Sequence, residues 1–179
     1  MVMKINWLKY LFVAGAMLFS ATATLPAAMP KVGDPAPPFT GQDQDGKTVM
    51  LSDLVSNKIV LLYFYPKDFT SGCTREACGF RDRMGELQKD NVEIIGVSFD
   101  SAESHQKFSA QYKLNFPLLA DPGGKIVKAY GVKWGDQNLA RRVSFLIGLD
   151  GKIAHITDAA NPDVHFSEMK TAIAGLKKS

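Results

Sequence analysis

The sequence predicts one α/β domain, a mixed central sheet with helices on both faces. Three observations carry this. A continuous apolar run, Ile59 to Tyr65, and a second, mainly apolar stretch, Val92 to Ser98, have the length and composition of buried strands. Between them lies a helix-length stretch, so the two strands form a crossover unit and run parallel. Near the other end, Val143 to Ile147 and Lys152 to Thr157 flank Asp150-Gly151, a turn dipeptide that makes them an antiparallel hairpin.

The remaining elements follow in chain order. Val32 to Phe39, with Pro35, Pro37 and Pro38, reads as extended coil. Asp45-Gly46 is a hairpin turn leading into a short strand at Thr48 to Leu51. From about Thr70 to Lys89, Cys73, Ala77, Phe80, Met84 and Leu87 recur on one helical face. A second helix is expected over Ala102 to Tyr112, a short strand over Phe116 to Ala120 and a short helix over Gly124 to Tyr130. A closing helix is expected over Asp163 to Leu176. Strand, helix, strand, then hairpin and helix, is thioredoxin-like architecture with an insertion between its halves. The loop after Ile59–Tyr65 then lies at the carboxyl end of a central strand, where open α/β sheets place their sites.

The first residues read as an export leader. Met1 to Tyr10 carries Lys4 and Lys9 and no acid, Leu11 to Ser20 is uncharged and largely apolar, and Ala21-Thr22-Ala23 supplies small residues for cleavage. Residues 1–23 are therefore expected to be a signal peptide, 24–31 a flexible linker and 32–179 the folded domain. Cleavage is expected after Ala23 rather than Ala27 or Ala28, and an uncleaved membrane anchor is the alternative. Either route places the protein outside the cytoplasm, in a periplasm. Removing the leader leaves nineteen basic residues against eighteen acidic ones, a net charge of +1. A nearly neutral domain argues against nucleic acid as a partner. Its 156 residues close a core without disulfide staples.

Cys73 and Cys78 are the only cysteines. Cys73 lies at the mouth of the predicted helix, where the partial positive charge and unpaired N–H groups favour thiolate over thiol. On an intact helix, residues five apart have Cα atoms about 8.6 Å apart, whereas a disulfide requires less than about 7 Å. Cys78 is thus either a structural thiol or a partner that Cys73 reaches only after the first turns unwind. It shares a helical row with Thr74 and Arg81, off the core row, which favours a partly accessible thiol. His105, His155 and His165 are scattered along the chain and read as surface or internally satisfied side chains. Trp134 reads as either a rim residue near the site or ordinary packing.

The segment Tyr63-Phe64-Tyr65-Pro66-Lys67-Asp68, followed by Gly72-Cys73-Thr74-Arg75-Glu76-Ala77-Cys78-Gly79-Phe80-Arg81-Asp82, resembles the peroxiredoxins. Pro66, Thr70 and Cys73 reproduce their P-x-x-x-T-x-x-C signature, and the longer run is similar to the Q-type, or bacterioferritin-comigratory, subfamily. Val32 to Pro37, Phe116 to Pro122 and Arg142 to Ile147 extend the resemblance over almost all of Lys31 to Leu176. Asp68-Phe69 departs from the usual residues before the Thr, and an exported leader is less usual for the subfamily.

The resemblance implies a thiol-dependent peroxidase reducing hydrogen peroxide and organic hydroperoxides. It assigns Cys73 as peroxidatic nucleophile and Cys78 as resolving cysteine, joined in an intramolecular disulfide during turnover. Thr70 would hydrogen-bond the peroxide oxygens, Pro66 would wall the pocket, and Arg142 would bind both thiolate and peroxide with its two directed donors. A thioredoxin-like dithiol protein would recycle the disulfide. No metal, haem or flavin cofactor is implied, and a monomer is expected, with a dimer as the alternative. Each residue has a plainer reading: Thr70 as a helix N-cap, Pro66 as a strand terminator, Arg142 as a solvated charge like Arg141, the two on opposite faces of a strand. Two other functions on the same fold compete. A disulfide reductase would use C-x-x-C and a proline where Val143 stands; a copper-delivery module would use C-x-x-x-C, and Arg142 suits a cation badly.

Overall fold

A computed structural model describes residues 28–176. The leader expected over residues 1–23 and the first part of the linker lie outside the described residues. Met29 packs against the core and Pro30 is buried, so the fold takes in the last residues of the segment read as linker.

Seven strands and five helices follow in the order β1 (Thr40–Gln42), β2 (Thr48–Met50), α1 (Leu51–Val55), β3 (Ile59–Phe64), α2 (Ser71–Lys89), β4 (Val92–Ser98), α3 (Ala102–Tyr112), β5 (Leu118–Ala120), α4 (Lys125–Ala129), β6 (Val143–Ile147), β7 (Ile153–Asp158) and α5 (Pro162–Leu176). They form one mixed sheet in the order β2-β1-β5-β4-β3-β6-β7. The expected parallel pair is β3 with β4, in register from Ile59↔Val92 to Phe64↔Val97. The expected hairpin is β6 with β7.

Every residue of β3 is buried because both faces of the sheet are covered. Its even-numbered residues, Val60, Leu62 and Phe64, join a core with Ile126, Val127 and Tyr130 from around α4. Its odd-numbered residues, Leu61 and Tyr63, face a second core holding Phe80 and Met84 of α2, Phe108 of α3 and Met169 and Ile173 of α5. The period-2 alternation of a strand thus sorts one apolar run into two cores.

Several boundaries differ from expectation by a residue or two, and three of them have a clear local reason. Leu51 starts α1 instead of ending a strand. That helix is five residues long and its N-cap, Met50, offers no side-chain hydrogen bond, so no capping or periodic pattern announces it. Phe116 and Pro117 precede β5 because proline lacks the N–H a ladder needs; Pro117 contributes only its carbonyl, accepting from Gly96 N at 3.0 Å. Pro162 opens α5 at the first helical position, where a missing N–H costs nothing.

One register fact positions the site. β6 runs antiparallel to β3 with Val143 opposite Phe64. The residues just before β6 therefore sit beside the loop that leaves β3, and that loop feeds α2.

Candidate active site

Thr70 occupies the N-cap position of α2, with extended backbone (φ −78°, ψ 147°), but its side chain makes no capping bond. Its hydroxyl donates to the Lys67 carbonyl at 3.0 Å, leaving the oxygen lone pairs free on an exposed side chain. The N-cap reading thus holds for the backbone position and not for the hydroxyl. Cys73, the third helical residue, is buried against the α2-side core.

Arg142 reaches Cys73 from just before β6. Its Nη2 donates to Cys73 Sγ at 3.3 Å, and its Nη1 donates to Glu76 Oε2. Gly72 makes room for this approach: a Cβ there would lie 3.2 Å from Arg142 Nη2. Burial works against the guanidinium's charge, but Glu76 and Cys73 override it and hold the group above its ordinary range. The solvated-charge reading of Arg142 is thereby set aside. Arg141 instead pairs with Asp158 at the rim. The two arginines precede the first residue of β6 and line one cleft, so strand alternation does not separate them onto unrelated surfaces.

That cleft, about 450 Å³, is walled by Pro66, Trp134, Arg141, Arg142, Ala159 and Ala160. Pro66 both ends β3 and borders the cleft. Trp134 is 51% exposed, a rim residue and not core packing.

Cys78 lies on the same unbroken helix as Cys73, half-buried, and both thiols are free. Its helical neighbour Arg81 is held above its ordinary range chiefly by Asp82, with Cys78 contributing. The intact helix keeps the two sulfur atoms out of bonding geometry, as expected from their spacing.

Glu76 is the site residue that the sequence reading passed over. It lies three residues after Cys73 and four before Phe80, on the buried helical face, and a charged residue in that row was the available sign. Burial pushes its carboxyl up to about 8 against the pull of Arg142. Its Oε1 has no hydrogen-bond partner and lies 3.8 Å from His165 Nδ1. His165 Nε2 lies 2.9 Å from the Ala159 carbonyl and therefore carries the proton. Nδ1 is left to accept from the Ser144 hydroxyl at 2.7 Å. Burial holds His165 below its usual range, so the ring stays neutral, and its Nδ1 lone pair is taken by Ser144 and not offered to Glu76.

The three histidines are internally satisfied, or partnered at the surface, as expected. His105 is buried among Asp68, Tyr65 and the Leu119 carbonyl, and His155 contacts Glu168.

A buried thiol at a helix mouth, faced by an arginine that also lines a proline-walled cleft, can be compared with known proteins. The AhpC/TSA family model matches residues 32–156. Peroxiredoxin Bcp of Escherichia coli (strain K12) is 44% identical over 135 residues, 72% of this chain and 85% of that one. This chain belongs to the AhpC/TSA family as a Q-type, or Bcp, peroxiredoxin. It is a thiol-dependent peroxidase. The chloroplastic peroxiredoxin Q of Sedum lineare is 39% identical over 149 residues, 81% of this chain and 78% of its own. Among solved structures, peroxidoxin BcpB of Mycobacterium tuberculosis superimposes with a TM-score of 0.75 at 34% identity, covering 83% of this chain and 97% of that one. The bacterioferritin comigratory protein of Xanthomonas campestris, whose structures concern alkyl peroxide reduction, gives 0.71 at 28% identity over 85% and 98%. The thioredoxin-like peroxiredoxin fold expected from the sequence is the fold observed. For this peroxiredoxin the competing copper-delivery reading also fails on geometry, because a guanidinium 3.3 Å from the sulfur would repel a bound cation.

Proposed function

We propose that Cys73 is the peroxidatic nucleophile and Cys78 the resolving thiol of a peroxidase acting outside the cytoplasm on hydrogen peroxide and organic hydroperoxides. The observation that carries the reading is the Arg142 Nη2 to Cys73 Sγ contact at 3.3 Å, which puts a permanent positive donor where thiolate charge resides and peroxide oxygen arrives. A free thiol with pKa about 8.5 is only about 3% thiolate at pH 7, so full ionisation gains roughly thirtyfold. The rest of the acceleration comes from aligning and polarising the O–O bond.

The Cys73 thiolate attacks one peroxide oxygen. The S–O bond forms, the O–O bond breaks, and the leaving oxygen takes a proton from solvent and departs as water or alcohol. Arg142 directs donors at thiolate and peroxide; Thr70, its own proton engaged by the Lys67 carbonyl, accepts from the peroxide O–H. Pro66 excludes water from one wall. Cys78 thiolate then attacks the sulfenic sulfur, forming the S–S bond and releasing water. A thioredoxin-like dithiol protein reduces the disulfide, so the electrons for each hydroperoxide come from that partner. The leader at residues 1–23 supports export to a periplasm.

Stopped-flow mixing with one equivalent of hydrogen peroxide tests the assignment. Cys73→Ser should show no fast turnover. Cys78→Ser should consume one equivalent quickly and then stall as sulfenic acid or overoxidise. A rapid first turnover in Cys73→Ser would overturn the reading.

A further inference from the structure

Asp68, two residues past Pro66 in the loop that leads to Cys73, has its side chain sealed from solvent. Its Oδ1 accepts from the Tyr65 hydroxyl at 2.7 Å. Its Oδ2 accepts from the Ser104 hydroxyl at 2.7 Å and faces His105 Nδ1 at 2.8 Å. The backbone N–H of Asp68 donates to Asp100 Oδ2 at 3.0 Å. His105 Nε2 lies 3.2 Å from the Leu119 carbonyl, so the ring sits packed between the loop and β5. A buried carboxylate with three side-chain partners is costly to disturb, because each lost donor leaves it less compensated.

Immediately beyond this knot the backbone changes character. Phe69 has φ +61°, a conformation that aromatic residues rarely adopt and that costs energy to hold. Its ring is 45% exposed and leans on Phe108 of α3 at 5.1 Å. A tightly held residue is therefore followed by a strained one, and then by the helix that has to unwind before Cys73 can meet Cys78.

We propose that Asp68 and His105 form a fixed post, with α2 detaching from Phe69 onward during turnover, and that the post limits how readily Cys73 sulfenic acid reaches Cys78. This rests on the cysteine roles proposed above. While the post holds, the freed segment is pinned at Asp68 on one side and by the remainder of α2 on the other, which restricts its conformations. Loosening the post lengthens the free segment and favours the unwound form. Sulfenic acid has two fates: attack by Cys78, giving disulfide and water, or reaction with a second hydrogen peroxide, giving sulfinic acid and water. The post favours the second fate by slowing the first. Asp68 and His105 are thus positioning residues, acting on the reaction through the loop.

The test is the hydrogen peroxide concentration at which half of the enzyme becomes sulfinic acid during turnover with dithiothreitol, read by intact mass. His105→Leu removes the donor to Asp68 and should raise that concentration about tenfold, the effect of one hydrogen bond to a charged group. His105→Asn keeps a donor near the place of Nδ1 and should return it to within about twofold of wild type. Should His105→Leu not fold, Ser104→Ala, which removes a single half-buried hydroxyl donor, should shift it about threefold in the same direction. Loss of thermal stability without a shift in this partition, or an Asn variant that behaves like Leu, would overturn the proposal. Failure of the underlying reading looks different: wild type would then form no Cys73–Cys78 disulfide at all.

Discussion

Replacing Arg142 by lysine separates charge from geometry at the reacting sulfur. One guanidinium nitrogen of Arg142 donates to Cys73 Sγ while the other donates to Glu76. Lysine offers a single nitrogen on a different stem and cannot serve both partners from one position. Its positive charge still remains within a few ångströms, so the thiolate fraction at neutral pH should fall by no more than about threefold. The hydrogen bond to the reacting centre is another matter. A hydrogen bond to a charged group is worth about 1.5–3 kcal/mol, or about 10- to 150-fold. A donor aimed at charge developing in a transition state is worth about 100- to 1,000-fold. The second-order rate of Cys73 with hydrogen peroxide should therefore drop about a hundredfold in Arg142→Lys. Stopped-flow fluorescence gives that rate, and thiolate absorbance against pH gives the ionised fraction in the same samples. Arg141→Lys is the control, because Arg141 pairs with Asp158 at the rim and should change the rate by less than about twofold, the scale of an exposed pair. If the Arg142 variant loses only as much rate as thiolate fraction, transition-state hydrogen bonding by this side chain is refuted.

Three further outcomes are expected. In the oxidised protein, amides from about Thr70 to Phe80 should exchange faster with solvent than in the reduced protein, since a Cys73–Cys78 bond requires the start of α2 to open; equal protection in both states, with the disulfide confirmed by mass, would contradict this. Glu76 titrates near 8 when folded, because burial raises it, and near 4.5 when unfolded, so its protonated form stabilises the fold fully below about 4.5 and that contribution is lost as pH rises towards 8. Melting temperatures of wild type and Glu76→Gln from about pH 5 to 8.5 should therefore diverge in favour of the variant as pH rises, and parallel curves would count against a raised Glu76. Gly79→Ala should lower stability by about 1–3 kcal/mol in urea titration despite alanine's better helix propensity, because its Cβ would collide with the Phe166 ring where α2 packs on α5; a neutral or stabilising result would mean the ring yields freely.

The sequence by itself determined whatever is written in local pattern. The apolar run of β3 announced a strand covered on both faces, the spacing from Cys73 to Leu87 announced the buried row of α2, and Asp150-Gly151 announced the turn between β6 and β7. It also placed Cys73 at a helix mouth and set a second thiol five positions on, which one intact helix holds apart from the first. Each of these depends on residues within a turn or two of one another, where backbone geometry leaves few choices.

Tertiary structure alone decided which distant groups meet. Glu76 and Arg142 are 66 residues apart, and Asp68 and His105 are 37 apart. Their contacts exist because β6 lies antiparallel beside β3 and α3 follows β4 back over the sheet. A carboxylate in a helical pattern looks solvated until the strand that carries its arginine is paired. Whether burial costs it a shifted proton or gives it a partner is set by that pairing, because desolvation and Coulomb attraction both depend on distances that local sequence does not fix. The short helix α1 and the strand β1, which bonds β5 through the single pair Gln42↔Ala120, belong to the same class. Too short to hold themselves, they take their form from the sheet they complete.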